Sequence, residues 1–210
     1  MGISFLLSGC AGLDRAPELD YTAFRESRPR SILVLPPVNQ SPEVKASASF
    51  LATATVPLAE SGYYVIPVTL SEEMFKQNGV LVAEDAHAIA PGRLREIFGA
   101  DSALYITVGR FGTSYRVINS VVEASASGKL VDLRSGLELW RGSAHIVLGN
   151  NNNSGGGLVG MLMSAIINQI ANSVSDKSHD AARMANYGML WAGHRNSILY
   201  GPYHPKFGTD

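Results

Sequence analysis

Between Ser31 and Pro36 the chain reads Ser-Ile-Leu-Val-Leu-Pro, an unbroken apolar run stopped by Pro36-Pro37. A short continuous run bounded by proline predicts a strand buried on both faces. Residues 42–61 are rich in Ala and Ser, with Phe50, Leu51, Val56 and Leu58 at helical spacing. This predicts a helix, kinked or broken at Pro57 and ended by Gly62. Tyr63-Tyr64-Val65-Ile66 then supplies a second strand. Strand, helix and strand in that order predict a parallel crossover unit. A further helix is centred on Met74-Phe75. Another starts at Pro91, a favoured residue in a first helical turn, and runs through Leu94 and Ile97-Phe98 to Gly99.

From Ala103 the period of the pattern changes to two. Leu104–Val108, Tyr115–Ser127, Lys129–Leu133 and Leu137–Leu148 predict an antiparallel meander, with breaks at Gly128 and at the Arg134-Ser135-Gly136 turn. Beyond it come a polar loop, Asn150–Gly157, two helices, Leu158–Ser175 and His179–Leu190, and a tail containing Ile198–Pro205. The fold class predicted is α/β: a small mixed sheet with an N-terminal parallel βαβ unit, an antiparallel meander and C-terminal helices packed on it. Residues 31–210 are expected to be one domain, as their number allows. Residues 11–30 carry charges, Pro17 and Pro29 with little apolar periodicity, and read as a flexible tether.

The tether gains meaning from the one cysteine in the chain, which closes the run Leu7-Ser8-Gly9-Cys10. Leucine, small residue, glycine, cysteine is the spelling at which bacterial lipoprotein precursors are diacylated on sulfur and cut just before it. Small side chains beside the cut suit the peptidase, and two or more acyl chains hold a protein stably on a bilayer. Cys10 is therefore the expected lipidation site, with residues 1–9 the remnant of a signal segment. No Lys or Arg precedes Arg15, so the basic part of such a leader is expected upstream of Met1. Ala11 follows the cysteine. The proteobacterial sorting rule, in which Asp at that position retains a lipoprotein at the inner membrane, then directs this one to the outer membrane, facing the periplasm.

Composition narrows the remaining choices. Charged residues are 17% and the formal net charge is −1, which leaves no electrostatic case for nucleic acid. Gly155-Gly156-Gly157-Leu158-Val159-Gly160 spells GxGxxG, but it follows a predicted antiparallel strand, and no acidic residue falls where a ribose would be held. No cofactor is expected. The five histidines, His87, His145, His179, His194 and His204, show no metal-ligand spacing, and no GxSxG elbow is present. The expectation is a non-catalytic protein. The alternative is a periplasmic small-ligand binder or enzyme in which His194 and His204 meet Glu72 or Asp85 in a pocket.

Two C-terminal segments are candidates for contact. No Asp, Glu, Lys or Arg occurs between Gly142 and Ser175, and Leu158, Met161, Leu162, Ile166 and Ile170 make an apolar stripe. That stripe is either a core helix or a surface through which the protein self-associates as a homodimer. The tail Tyr200-Gly-Pro-Tyr-His-Pro205 is stiff and aromatic. It packs on the domain or offers Tyr200, Tyr203 and His204 to a partner.

The spelling at Leu7–Cys10, the strand Ser31–Pro37, the segment Gly99-Ala-Asp-Ser-Ala-Leu-Tyr-Ile, the turn from Asp132 through Gly136 to Leu139-Trp140, and the tail Leu199–Pro205 together resemble a known family. It is that of the bacterial lipoproteins typified by the neisserial genome-derived lipoprotein antigen, whose function is unknown. The resemblance implies a domain similar to those of TolB N-terminal and CsgG-type outer-membrane lipoproteins. It also implies partners among CsgG-type envelope lipoproteins, and a place in an envelope assembly or secretion apparatus. The family has no established catalytic residues, so only Cys10 carries over.

Overall fold

The computed structural model of the protein describes residues 19–115, 120–148 and 176–210. Within them lie strands β1 (Ser31–Val34), β2 (Val38–Asn39), β3 (Tyr64–Val65), β4 (Ser102–Tyr115), β5 (Ser120–Asp132) and β6 (Glu138–Leu148). The helices are α1 (Thr22–Ser27), α2 (Ala46–Glu60), α3 (Val68–Gln77), α4 (Ala83–Ala88), α5 (Pro91–Phe98) and α6 (Lys177–Leu190). The strands form one mixed sheet in the order β3-β1-β4-β5-β6. β1 runs parallel to both β3 and β4, and β2 continues along the same side of β4 after the Pro36-Pro37 interruption. β4, β5 and β6 are antiparallel neighbours. This is the mixed α/β class that the pattern predicts.

The apolar run at residues 32–35 lies at the centre, and its side chains divide by parity. Ile32 and Val34 join one core cluster with Leu104, Ile106 and Val108; Leu33 and Leu35 join another with Ala103, Tyr105 and Val131. The first cluster is covered by α1, α2 and α6, through Phe24, Phe50, Ala54, Ala182 and Ala185. The second is covered by α3, α4 and α5, through Phe75, Ala86 and Leu94.

Several boundaries differ from the sequence expectation, each for a local reason. β5 does not break at Gly128. It runs from Ser120 to Asp132, and Gly128 stands opposite Gly142 on β6. The Trp140 ring lies over this glycine pair: a Cβ on Gly142 would meet Trp140 Cζ2 at 2.2 Å, and one on Gly128 would meet Met189 at 3.4 Å. The glycines are there to admit the indole and the thioether, a packing use of glycine inside a strand. Pro57 does not break α2, which stays one helix to Glu60 with the proline in its last turns. β2 and α4 were not foreseen. The first is two residues long, and the second buries only Ala86, so neither leaves a periodic trace.

The packed domain also starts earlier than Ser31. Residues 19–30, read as part of a tether, contain α1, whose Phe24 is buried. Leu19 N–H donates to Asn196 Oδ1 at 3.2 Å, the Tyr21 hydroxyl to Ser197 O, and Arg134 Nη2 to Ser27 O at 2.8 Å. A single aromatic anchor and three polar contacts in a charged stretch give no periodicity to read. Cys10, the loop Asn150–Gly157 and the helix Leu158–Ser175 with its stripe lie outside the described residues.

Candidate functional site

Strands β4, β5 and β6 are long, 14, 13 and 11 residues, and the helices α3–α5 cover only the first part of their second face. Cross-strand register shows where the cover stops. Tyr105 pairs with Lys129 and Lys129 with Arg141 at the rim of the second core. The next row on that face is Thr107–Ser127–Ser143. A register shift between Val108 and Arg110 then brings Arg110, rather than Gly109, opposite Ser125, which pairs with His145. A row of Gly112, Glu123 and Val147 follows. The result is an open groove of about 490 Å³, floored by Thr107, Ser125, Ser127 and Ser143 and bordered by Gln40, Arg110 and His145.

Charges around the groove are arranged in pairs. Arg110 Nη1 lies 3.1 Å from Oε2 of the buried Glu123, and Arg141 holds Glu138 through two hydrogen bonds. Lys129 Nζ sits 4.9 Å from the Tyr105 ring centre. Beside Tyr105, His87 on α4 places its Nε2 3.0 Å from Pro36 O and meets the Tyr105 ring edge-on at 5.1 Å. Burial lowers the His87 pKa, with the Pro36 carbonyl opposing and the Lys129 ammonium adding to the effect. The imidazole is therefore neutral at pH 7.

The C-terminal tail is a second surface feature. Ile198 and Leu199 are buried, and the Tyr63 hydroxyl donates to Leu199 O at 2.6 Å. Gly201 crosses Gly62 so closely that a Cβ on Gly62 would meet His204 N at 2.4 Å, and one on Gly201 would meet Gly62 O at 2.3 Å. Tyr200 and His204 stack with ring centres 4.2 Å apart, while Tyr203 is 68% exposed. The tail is thus packed on the domain along one side and presents Tyr203 on the other.

The alternative pocket does not assemble. His194 Nε2 lies against Gly188 O, and His204 Nδ1 accepts from Lys206 N. Among the described residues no hydrogen bond or ion pair joins either imidazole to Glu72 or Asp85, and neither lines the groove. Among the described residues no three His, Cys, Asp or Glu groups gather as a metal site, and none of the described helices is long and apolar enough to cross a membrane. The groove itself was missed in the sequence. Its signal was present in Glu123-Ala-Ser-Ala-Ser-Gly-Lys129, where every second residue is polar in a strand whose other face is core.

The fold is a small mixed α/β domain whose sheet carries α1, α2 and α6 on one face and, among the described residues, α3–α5 on the first part of the other. Comparison with known proteins places that domain. The family described as "Putative lipoprotein GNA1162-like" matches residues 19–203. A relative from Neisseria meningitidis serogroup B, itself named a putative lipoprotein, is 50% identical over 196 residues, 93% of this chain and 90% of the relative. The crystal structure of lipoprotein GNA1162 from Neisseria meningitidis is similar with a TM-score of 0.57 at 55% identity, covering 69% of this chain and 100% of that one. The chain belongs to the GNA1162-like lipoprotein family.

Proposed function

We propose that this protein is a lipid-anchored, non-catalytic adaptor or structural component of a cell-envelope assembly or secretion apparatus, held on the periplasmic side of the outer membrane. One observation carries the reading: Leu7-Ser8-Gly9-Cys10 stands nine residues before Leu19, where the match to a lipoprotein family begins. Nine residues reach at most about 30 Å when fully extended, so acylation at Cys10 keeps the domain close to the bilayer. Ala11 supports the outer membrane under the sorting rule, and the sequence offers no nucleophile and base at a recognisable spacing.

The contacts that fit this role are the exposed side of the tail and the uncharged stretch after β6. Tyr203 is solvent-facing beside the Tyr200–His204 stack, where a CsgG-type lipoprotein would dock. Leu158, Met161, Leu162, Ile166 and Ile170 would close a two-fold homodimer. Each large apolar side chain moved from water into an interface contributes about 1.5–3 kcal/mol, and tethering to one membrane raises the effective concentration.

The protein is produced with a functional leader and membranes are separated on a density gradient. The wild type is expected in the outer-membrane fraction, and Cys10→Ala in the soluble periplasm. A Cys10→Ala protein that still sediments with membranes would contradict the reading. Cross-linked complexes from the wild-type membranes then identify the partners.

A further inference from the structure

β3, β1, β4 and β6 all start at one end of the sheet, and β5 stops there. Hydrogen bonds tie the segments at that end into one strip. Arg134 Nη2, in the turn between β5 and β6, donates to Ser27 O at 2.8 Å, next to Arg28. Arg30 N–H donates to Asp101 Oδ2 at 3.0 Å, just ahead of β4. Arg30 O accepts from Tyr64 N–H at 3.0 Å, at the start of β3. Arg28, Arg30 and Arg134 are exposed along this strip, with Leu137 57% exposed under the β5–β6 turn and Tyr64 55% exposed at the other edge.

The strip carries excess positive charge. Arg134 lies 3.6 Å from the buried Asp132, and Arg95 3.5 Å from Asp101. Among the described residues no ion pair holds the side chain of Arg28 or Arg30. Glu26 offsets one of them, which leaves the strip positive in a chain whose net charge is −1. Arginines interleaved with an exposed Tyr and Leu suit a bilayer surface. The arginine stem lies along apolar surface while its guanidinium reaches phosphate oxygens. Tyr settles at the headgroup level, and anionic lipids attract cations held near the membrane.

The anchor lies on the same side. Leu19 N–H donates to Asn196 Oδ1, and Asn196 O accepts from Nε1 of Trp140, the third residue of β6. The chain therefore enters the domain beside this end, nine residues after Cys10, a span of at most about 30 Å. At that reach the strip meets the bilayer at an effective concentration on the order of mM, so even a weak contact is populated.

We infer that the domain lies on the bilayer through this end, with Arg28, Arg30 and Arg134 on anionic phospholipid headgroups and Tyr64 and Leu137 at the interface. The inference rests on the anchoring reading and deepens it, because it orients the domain. The strip faces the membrane, and the opposite end of the sheet, where β6 finishes at Leu148, faces away from it.

The test supplies the anchor chemically. The full chain is coupled through Cys10, its one cysteine, to a maleimide-bearing lipid in vesicles. One set contains phosphatidylglycerol and phosphatidylcholine, and the other phosphatidylcholine alone. Amide hydrogen exchange read by mass spectrometry is compared with that of the uncoupled chain. On the anionic vesicles, peptides covering residues 26–31, 63–66 and 134–139 are expected to exchange about threefold more slowly or better, while peptides from α2 and α6 stay unchanged. High salt is expected to remove the slowing. So is Arg28→Glu combined with Arg30→Glu, two exposed positions, at an unchanged unfolding midpoint. No slowing on anionic vesicles, slowing confined to other surfaces, equal slowing on phosphatidylcholine alone, or slowing that survives high salt would each overturn the inference. Natural acylation is tested apart, by metabolic labelling with a palmitate analogue. A chain that takes up no label overturns the anchoring reading, whereas the chemically anchored chain reports on the strip alone.

Discussion

Asp132 shows how one side chain fixes the start of the domain to its centre. It is 3% exposed at the end of β5, where it accepts from the Ser27 hydroxyl, from the N–H groups of Arg134 and Ser135, and from the Ser135 hydroxyl. Burial pushes its pKa up, but the hydrogen bonds from Ser27, Ser135 and Arg134 together outweigh burial and hold it below the ordinary carboxylate value. A depressed carboxylate stabilises the fold above its unfolded pKa, near 3.9, and loses that contribution as pH falls through the folded value. Asp132→Asn is expected to cost about 1–3 kcal/mol in chemical unfolding at pH 7, and the deficit should shrink toward pH 3. His87 and His194 act at a higher pH. Burial lowers both pKa values, so the unfolded chain binds protons that the folded one refuses. Stability is therefore expected to fall as pH drops below about 6.5, and His87→Gln should flatten that limb in melts between pH 5 and 7.5. At Gly62, φ is +89° and the tail backbone passes within a Cβ's reach. Gly62→Ala is expected to cost about 2–4 kcal/mol and to speed proteolysis of the chain beyond Leu199.

At the scale of elements, α2 and α6 meet through small residues and one buried amide. Asn186 on α6 is fully buried and donates to Phe50 O and Thr53 Oγ1 on α2, both at 2.8 Å. Asn186→Ala is expected to destabilise by about 1–3 kcal/mol, read from denaturant midpoints at unchanged m-value. In the sheet, Gly142→Ala is expected to drive Trp140 off the Gly128–Gly142 floor, with a red-shifted tryptophan emission as the signature. These same elements show what the sequence could reveal. β1 was legible because a strand buried on both faces is apolar throughout, β3 because a short aromatic and β-branched run follows Gly62, and α5 because Pro91 and Gly99 mark its two ends. α6 was legible from its periodicity. The continuity of β5 was not, because a glycine that admits Trp140 from another strand looks like a glycine that ends a strand. The anchoring of residues 19–27 was not legible either, since its partners Asn196, Ser197 and Arg134 are more than 100 residues away. The groove floor needed the pairing register of three strands before its hydroxyls could be seen to share a face.

For the whole molecule, the consequence is a domain with two unlike sides. One sheet face carries α1, α2 and α6, and the other, among the described residues, carries α3–α5 as far as Tyr105. The N-terminal segment docks beside Asn196 and Ser197, close to the turn that joins β5 to β6, and the anchor proposed at Cys10 lies nine residues further on. If the stretch from Leu158 to Ile170 is an interface, light scattering of the soluble domain should give a dimer that Ile166→Glu converts to a folded monomer. A wild type that stays monomeric at high concentration, with a variant that unfolds, would make the stretch core instead. Anchoring is the claim on which the rest of the functional reading stands, and metabolic labelling with a palmitate analogue tests it most directly. With a functional leader in place, the wild type should take up the label and Cys10→Ala should not. Equal labelling of the two, or none in either, would contradict it.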